Sequence, residues 1–103
     1  MGKNIVMADV SIVPLGTAET SVSDYVASSL EVLKKAKDLQ YQVGPMGTSI
    51  QGPMDRVMEV IAQMHETPFG KGVKRVVTII KIDDRRDKQQ TLTQKVRRVT
   101  DRS

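Results

Sequence analysis

The sequence predicts an α+β fold in which an antiparallel sheet carries two helices on one face. Two segments have apolar residues on both alternating faces, as strands do, two others have apolar residues at helical spacing, and two short extended stretches lie between them. The resulting order is strand, helix, strand, strand, helix, strand, followed by a further helix. In a chain of 103 residues this order favours one domain, residues 1–103, with a ferredoxin-like βαββαβ arrangement.

The first strand is predicted over Asn4–Val13, where apolar side chains occupy both faces, and Pro14 ends it. A helix then starts at Ser21, because Asp24 three positions later completes a pattern that resembles a capping box. The helix is predicted to run to about Asp38. Its apolar stripe consists of Val22, Tyr25, Val26, Leu30 and Leu33.

Two short strands are predicted within Tyr41–Gln51, joined by a tight turn near Met46–Thr48. Pro53 occupies the first position of a second helix, where its missing N–H does no harm, and Pro68 ends that helix. The predicted core stripe of this helix consists of Met54, Val57, Met58, Ile61 and Met64.

The last strand is predicted over Val73–Ile82, again with apolar residues on both faces. A final helix is predicted in which Leu92, Val96 and Val99 share a side. Because the first and last strands are apolar on both faces, the sheet face without helices must be covered by that helix or by another subunit. The strand composition therefore predicts a homo-oligomer.

The net charge of +4 lies entirely in the last twenty residues, where seven basic side chains face three acidic ones. The interspersed acids and the apolar side of the predicted final helix favour a docked helix with a charged outer face over an acidic partner. A nucleic-acid binder is a weaker alternative, since only three aromatic residues are available for stacking: Tyr25, Tyr41 and Phe69.

The chain has no cysteine, which excludes disulfides, thiolate zinc sites, iron–sulfur clusters and cysteine nucleophiles. No apolar run is long enough to cross a bilayer. These features predict a cytoplasmic protein without a metal, a cofactor or a membrane partner.

Few residues suggest catalysis. His65 is the single histidine, and its place beside the apolar stripe of a helix is more typical of packing than of metal binding or base catalysis. The neighbouring Asp83 and Asp84 would point to opposite faces of an extended backbone, so at most one can face a site. The run Arg85–Lys88 is predicted to be a solvated turn with internal ion pairs. An enzyme that combines His65 with Asp83 is the least favoured function.

Two loops are better candidates for a binding site. One covers Pro14–Ser21 and the other Gly44–Ser49, and both combine glycine with hydroxyl side chains. Glycine frees the backbone and hydroxyl groups supply hydrogen bonds, a combination that lets a small polar ligand approach closely. The same composition is also typical of plain turns.

Six short strings along the chain are distinctive: Val13–Thr17, Ser21–Ala27, Met46–Gly52, His65–Glu66, Arg75–Thr78 and Lys81–Arg85. In this order they resemble the small single-domain thiamine-binding family related to YkoF. The resemblance extends from about Ile5 to Val99, and strings in register are more specific than any single one. It implies a ferredoxin-like subunit whose sheets pack into dimers and tetramers, with a non-catalytic site for thiamine or its pyrimidine portion near the strand ends and the subunit contact.

The resemblance also implies roles for individual residues. The hydroxyl groups of Thr17, Ser21 and Thr48 match positions that would bond the aminopyrimidine edge, and Met46 and Gly47 belong to the same motif as Thr48. The carboxylate of Asp83 would balance the positive charge of the thiazolium ring. Gln51 stands where glutamate is expected in relatives, and its neutral amide would favour a neutral pyrimidine over a cation.

We therefore predict a non-catalytic cytoplasmic protein that binds thiamine or a related pyrimidine such as hydroxymethylpyrimidine. The alternative from another class is a structural or regulatory protein whose homo-oligomeric assembly is itself the function.

Overall fold

The computed structural model describes residues 4–16, 23–44 and 46–87, and these form a four-stranded antiparallel sheet with two helices. The strands lie in the order β2-β3-β1-β4, with β1 and β3 in the centre and β2 and β4 at the edges. This arrangement confirms the predicted fold class. The predicted final helix lies outside the described residues, and so do Thr17 and Ser21. The bounds are β1 Ile5–Leu15, α1 Ser23–Lys35, β2 Gln40–Val43, β3 Thr48–Pro53, α2 Met54–Glu66, a short 3-10 helix Phe69–Lys71 and β4 Arg75–Asp83.

The core lies between the sheet and the helix layer. Alternate residues in the first half of β1 are buried there: Val6, Ala8 and Val10 have exposed fractions of 2% or less. Leu33 of α1 and a set of α2 residues pack against them. Alternation along a strand sends the intervening side chains to the opposite face. No helix of the described residues covers that face, which we call the open face.

The core stripe of α2 differs from the predicted one. The buried residues are Val57, Val60, Ile61 and Met64, which follow the spacing i, i+3, i+4 and i+7 of one helix face. Met54 and Met58, which the prediction placed in the core, are exposed. The prediction assigned to this face apolar residues that lie beside it, and it omitted Val60.

The strand β1 continues through Pro14, where the prediction ended it. Its pairing with β3 stops at Val10, whereas its pairing with β4 continues to Leu15, opposite Arg75. Around Pro14 the strand is therefore paired on one side only, and an edge position tolerates a residue without an N–H. Gly16, with φ of 70°, then turns the chain in the left-handed region that favours glycine.

Other strand and helix boundaries differ from the predicted ones by one to three residues. Pro53 closes β3 with extended dihedral angles of −61° and 141°, so α2 begins at Met54. Lys34 and Lys35 lie in the last turn of α1, where they stabilise the negative end of the helix dipole, and the helix ends there. The last strand begins at Arg75, because Val73 is buried in the preceding loop.

Candidate functional site

A cavity of about 290 Å³ opens between α1 and the helix-facing side of the sheet. Its floor is formed by Val10–Pro14 of β1, and α1 contributes a wall that runs from Tyr25 to Leu30. Met64 of α2 and the hairpin between β2 and β3 complete the lining. The register explains why the hairpin reaches the cavity: Thr48 lies opposite both Val10 and Val43.

The hairpin turn is held close to β1, and glycine is what permits this approach. The backbone N–H of Gly44 donates to the carbonyl oxygen of Gly47 at 2.8 Å, which closes the turn. A Cβ atom at Gly47 would lie only 2.9 Å from the carbonyl oxygen of Val10 and 3.1 Å from the Oδ1 atom of Asp9. Any larger residue would push the hairpin away from β1 and change the cavity mouth.

Three of the predicted site residues line this cavity: Met46, Gly47 and Thr48. Thr48 is half-buried beside core residues, and Met46 is 86% exposed at the rim. The candidate loop Gly44–Ser49 therefore contributes to the cavity lining. Thr17 and Ser21 belong to the first loop, of which the structure describes only the start, through Gly16.

The other two predicted site residues lie elsewhere. Gln51 is opposite Met7 in the register between β3 and β1, and Met7 is opposite Asp83 in the register between β1 and β4. Paired residues in an antiparallel sheet share a face, so Gln51 and Asp83 flank Met7 in one row. This row lies on the open face, on the other side of the sheet from Thr48.

The structure adds residues that the prediction did not assign to the site. Tyr25, Val26 and Leu30 were interpreted as core positions of α1, yet all three line the cavity. Ser29 also lines it and is only 7% exposed. Ser29 lies four positions after Tyr25 on an otherwise apolar helix face, and this was the signal that the sequence offered.

The described lining of the cavity is uncharged. Among the described residues that line it, none carries a carboxylate, ammonium, guanidinium or imidazole group. The polar side-chain groups are the hydroxyls of Tyr25, Ser29 and Thr48, and the two hairpin glycines add backbone groups. Such a lining suits a small neutral ring whose edge can form a few hydrogen bonds.

His65 and Asp83 are not brought together. The Nδ1 atom of His65 is hydrogen-bonded to the hydroxyl oxygen of Thr78 at 2.6 Å, and Thr78 lies on the helix-facing side of β4, opposite Ile12. Asp83 lies on the open face. Within residues 4–16, 23–44 and 46–87, no group of three or more His, Cys, Asp or Glu side chains is placed to hold a metal ion.

The charged turn after β4 forms internal ion pairs, as predicted. Arg85 pairs with Asp87, and Arg86 donates two hydrogen bonds to Asp84. Asn4 also donates to Asp84, which fastens the start of β1 to the end of β4. The hydrogen bonds from Arg86 and then Asn4 hold the pKa of Asp84 below its usual value.

Neither helix of the described residues has the combination of length and apolar character needed to span a membrane.

Solved structures share this fold. The crystal structure of a hypothetical protein from Methanocaldococcus jannaschii matches with a TM-score of 0.84 and 39% identity, over 94% of this chain and 97% of that chain. A Thermotoga maritima structure described as a thiamine biosynthesis/salvage protein matches with a TM-score of 0.73 over 92% of this chain and 98% of that chain. Its identity is 20%, so this match concerns the fold alone.

Sequence relatives cover nearly the whole chain. The protein YqgV of Bacillus subtilis is 46% identical over 96 residues, which are 90% of this chain and 92% of that protein. A protein of Methanothermobacter thermautotrophicus is 39% identical over 99 residues, or 95% of this chain and 99% of that protein. The family model described as thiamine-binding protein matches residues 8–100. The chain therefore belongs to the thiamine-binding protein family.

Proposed function

We propose that this protein binds thiamine or its pyrimidine portion, hydroxymethylpyrimidine, in the cavity beside α1 and releases the ligand unchanged in the cytoplasm. The observation that carries the proposal is a cavity whose described lining is uncharged and bears hydroxyl groups, in a member of the thiamine-binding family. Its volume is near the lower end of ligand pockets, roughly 300 Å³, which suits one small ring system.

The pyrimidine ring is the part of thiamine that fits this lining best. Tyr25 supplies an aromatic face, and the hydroxyl groups supply partners for the ring nitrogens and the amino group. The thiazolium ring carries a positive charge, and no described lining residue supplies a carboxylate for it. The cationic ring of thiamine would therefore lie at the mouth near Met46, and the free neutral pyrimidine would bind at least as well.

Titration calorimetry with thiamine, its phosphates and hydroxymethylpyrimidine tests the proposal. We expect heat of binding with the free pyrimidine and with thiamine. The variant Val26→Trp fills the cavity from a position that is 44% exposed, so it should fold and lose at least tenfold in affinity. Met58→Trp is the matched control, on the exposed side of α2 and outside the described cavity lining. No heat with any of these ligands would refute the proposal.

The absence of turnover is tested separately. Prolonged incubation of the protein with thiamine and hydroxymethylpyrimidine should return both compounds unchanged by mass spectrometry. A new product that requires the folded protein would show that the chain is an enzyme.

We propose further that the protein self-associates through the open face. Val13, Val77 and Ile79 are exposed there, and Ile79 is exposed by 56%. Asp9 lies directly opposite Lys81 in the same register, so both charges stand side by side on this face. Two copies related by a two-fold axis could pair each Asp9 with the partner's Lys81 while they cover the apolar residues. The occupant of the open face would then be a second copy of this chain.

Light scattering of the wild type and of Ile79→Lys tests self-association. We expect an oligomer for the wild type and a monomer for the variant, since a charge in the middle of an apolar interface is costly. If assembly alone were the function, Val26→Trp would leave the cellular phenotype unchanged and Ile79→Lys would abolish it. A monomeric wild type at micromolar concentration would refute this part of the proposal.

A further inference from the structure

Ser29 is the one polar side chain that is buried among the described residues. It is 7% exposed, lies on α1 where this helix meets the end of α2, and lines the cavity. Its Oγ atom is 3.2 Å from the carbonyl oxygen of Tyr25, one helical turn earlier, and 3.3 Å from the hydroxyl oxygen of Thr67. The side chain therefore joins the two helices at the cavity wall.

The hydroxyl protons at this contact are fewer than the acceptors. Each hydroxyl group has one proton and two lone pairs. Thr67 donates its proton to the carbonyl oxygen of Met64 at 2.8 Å, the shortest of the three contacts. The proton of Ser29 then goes either to the Tyr25 carbonyl or to the Thr67 oxygen. In both arrangements the Ser29 oxygen donates and, among the described residues, accepts nothing.

A buried hydroxyl oxygen with unused lone pairs at the wall of a cavity selects a ligand that brings an N–H donor. A ligand that presents an oxygen acceptor could bond to the Ser29 hydroxyl only if that hydroxyl no longer donated its proton to the Tyr25 carbonyl oxygen or the Thr67 hydroxyl oxygen. We infer that Ser29 is a specificity-determining residue that accepts a hydrogen bond from the exocyclic amino group of an aminopyrimidine and disfavours the corresponding oxo compound. This inference rests on the proposed binding of a pyrimidine in the cavity.

The decisive measurement is the ratio of two dissociation constants. One probe is 4-amino-5-hydroxymethyl-2-methylpyrimidine, and the other is the same compound with a 4-oxo group in place of the amino group. The wild type should prefer the amino compound. Ser29→Ala should weaken the amino compound about tenfold and change the oxo compound by less than about twofold, because only the amino compound loses a hydrogen bond. The preference should therefore nearly vanish.

Ser28→Ala is the matched control, since it makes the same change one position earlier on α1, at a residue outside the described cavity lining. It should keep the wild-type ratio. Thr67→Val provides a second test that leaves Ser29 in place. Without the Thr67 hydroxyl, the Ser29 hydroxyl donates to the Tyr25 carbonyl oxygen. The preference for the amino compound should then be unchanged or larger.

The outcomes separate this inference from the proposed function. If both compounds bind the wild type but Ser29→Ala weakens them equally, the inference is wrong and pyrimidine binding stands. Loss of the ratio in Thr67→Val would assign the recognition to the other hydroxyl and would also overturn the inference. If neither compound binds the wild type, pyrimidine binding fails together with the inference.

Discussion

The imidazole of His65 joins the last turn of α2 to β4 through a 2.6 Å hydrogen bond between its Nδ1 atom and the hydroxyl oxygen of Thr78. The ring of Phe69 meets the same imidazole edge to face, with the ring centroids 5.6 Å apart. Because β4 lies beside β1 at the edge of the sheet that the described residues form, this contact adds a direct link from the helix layer to the sheet edge.

Removing either partner of this hydrogen bond should destabilise the fold. Thr78→Val keeps the shape of the side chain but leaves the half-buried imidazole nitrogen without its partner, at a cost of about 1 kcal/mol. Urea denaturation of Thr78→Val, His65→Leu and the double variant measures the coupling, which we expect to be about 0.5–1.5 kcal/mol. Strictly additive effects would show that the contact contributes nothing.

Gly47 should be needed for the hairpin to lie against β1. In Gly47→Ala the new Cβ atom would approach the backbone carbonyl of Val10 to 2.9 Å, and backbone atoms cannot turn aside as a side chain can. We expect a loss of about 1–3 kcal/mol in the free energy of unfolding and weaker binding of hydroxymethylpyrimidine. Urea denaturation and calorimetry give the two values.

Gly70→Ala is the control for this effect. It also adds a methyl group at a glycine, here in the short 3-10 helix Phe69–Lys71, but nothing lies within 4 Å of the new Cβ atom. Its free energy of unfolding should differ from that of the wild type by less than about 0.5 kcal/mol. Equal losses for the two variants would mean that the crowding at Gly47 is unimportant.

The fold was predictable from the sequence because its patterns are local. Apolar residues on both faces of β1 and β4, helical spacing in α1 and α2, and prolines near the element ends define the order of elements, and short connections leave few arrangements. The core face of α2 was harder to predict. Apolar residues lie on both sides of the true stripe, and only packing against β1 and β3 decides that Val60 is buried and Met58 is exposed.

The candidate site was only partly predictable, because grouping its residues requires the register. Thr48 and Gln51 are three positions apart on one strand, so alternation sends them to opposite faces. Their common motif placed both in one site, whereas pairing with Val10 and Met7 separates them. Ser29 was missed for a related reason, since its importance comes from its contact with Thr67, 38 residues away in the chain.

The ion pair between Asp38 and Arg56 should make stability depend on acid pH. The guanidinium group donates from Nε at 2.7 Å and from Nη2 at 3.0 Å to the two oxygens of Asp38, so the turn after α1 is fastened to α2. These hydrogen bonds hold the pKa of Asp38 below its ordinary value of 3.8. A lowered folded-state pKa means that the stabilisation is complete above that ordinary value and is lost as the pH falls through the folded value.

Comparison of the wild type with Asp38→Asn tests this dependence. The wild type should be more stable at pH 7, and the difference should shrink once the pH falls below about 4. Glu31→Gln is the control, because Glu31 makes a single exposed contact of 3.4 Å with Lys34 and such pairs contribute little. Thermal unfolding at a series of pH values measures both variants. A constant difference between pH 7 and pH 2.5 would contradict the prediction.

Gln51→Glu distinguishes a ligand site in the cavity from one on the open face. The cavity is on the helix-facing side of the sheet, whereas Gln51 shares a row with Met7 and Asp83 on the other side. We therefore expect this variant to change the affinity for hydroxymethylpyrimidine by less than about twofold. Thr48→Val removes a hydroxyl group from the cavity wall and should weaken binding about three- to tenfold.

Calorimetry on the two variants with the same pyrimidine decides between the faces. The added charge of Gln51→Glu would lie in the same row of the open face as Asp83. Because like charges on a shared face weaken assembly, this variant should reduce self-association, which light scattering measures. The opposite pattern, with affinity sensitive to Gln51→Glu and indifferent to Thr48→Val, would place the ligand on the open face between subunits and leave the cavity without a role in binding.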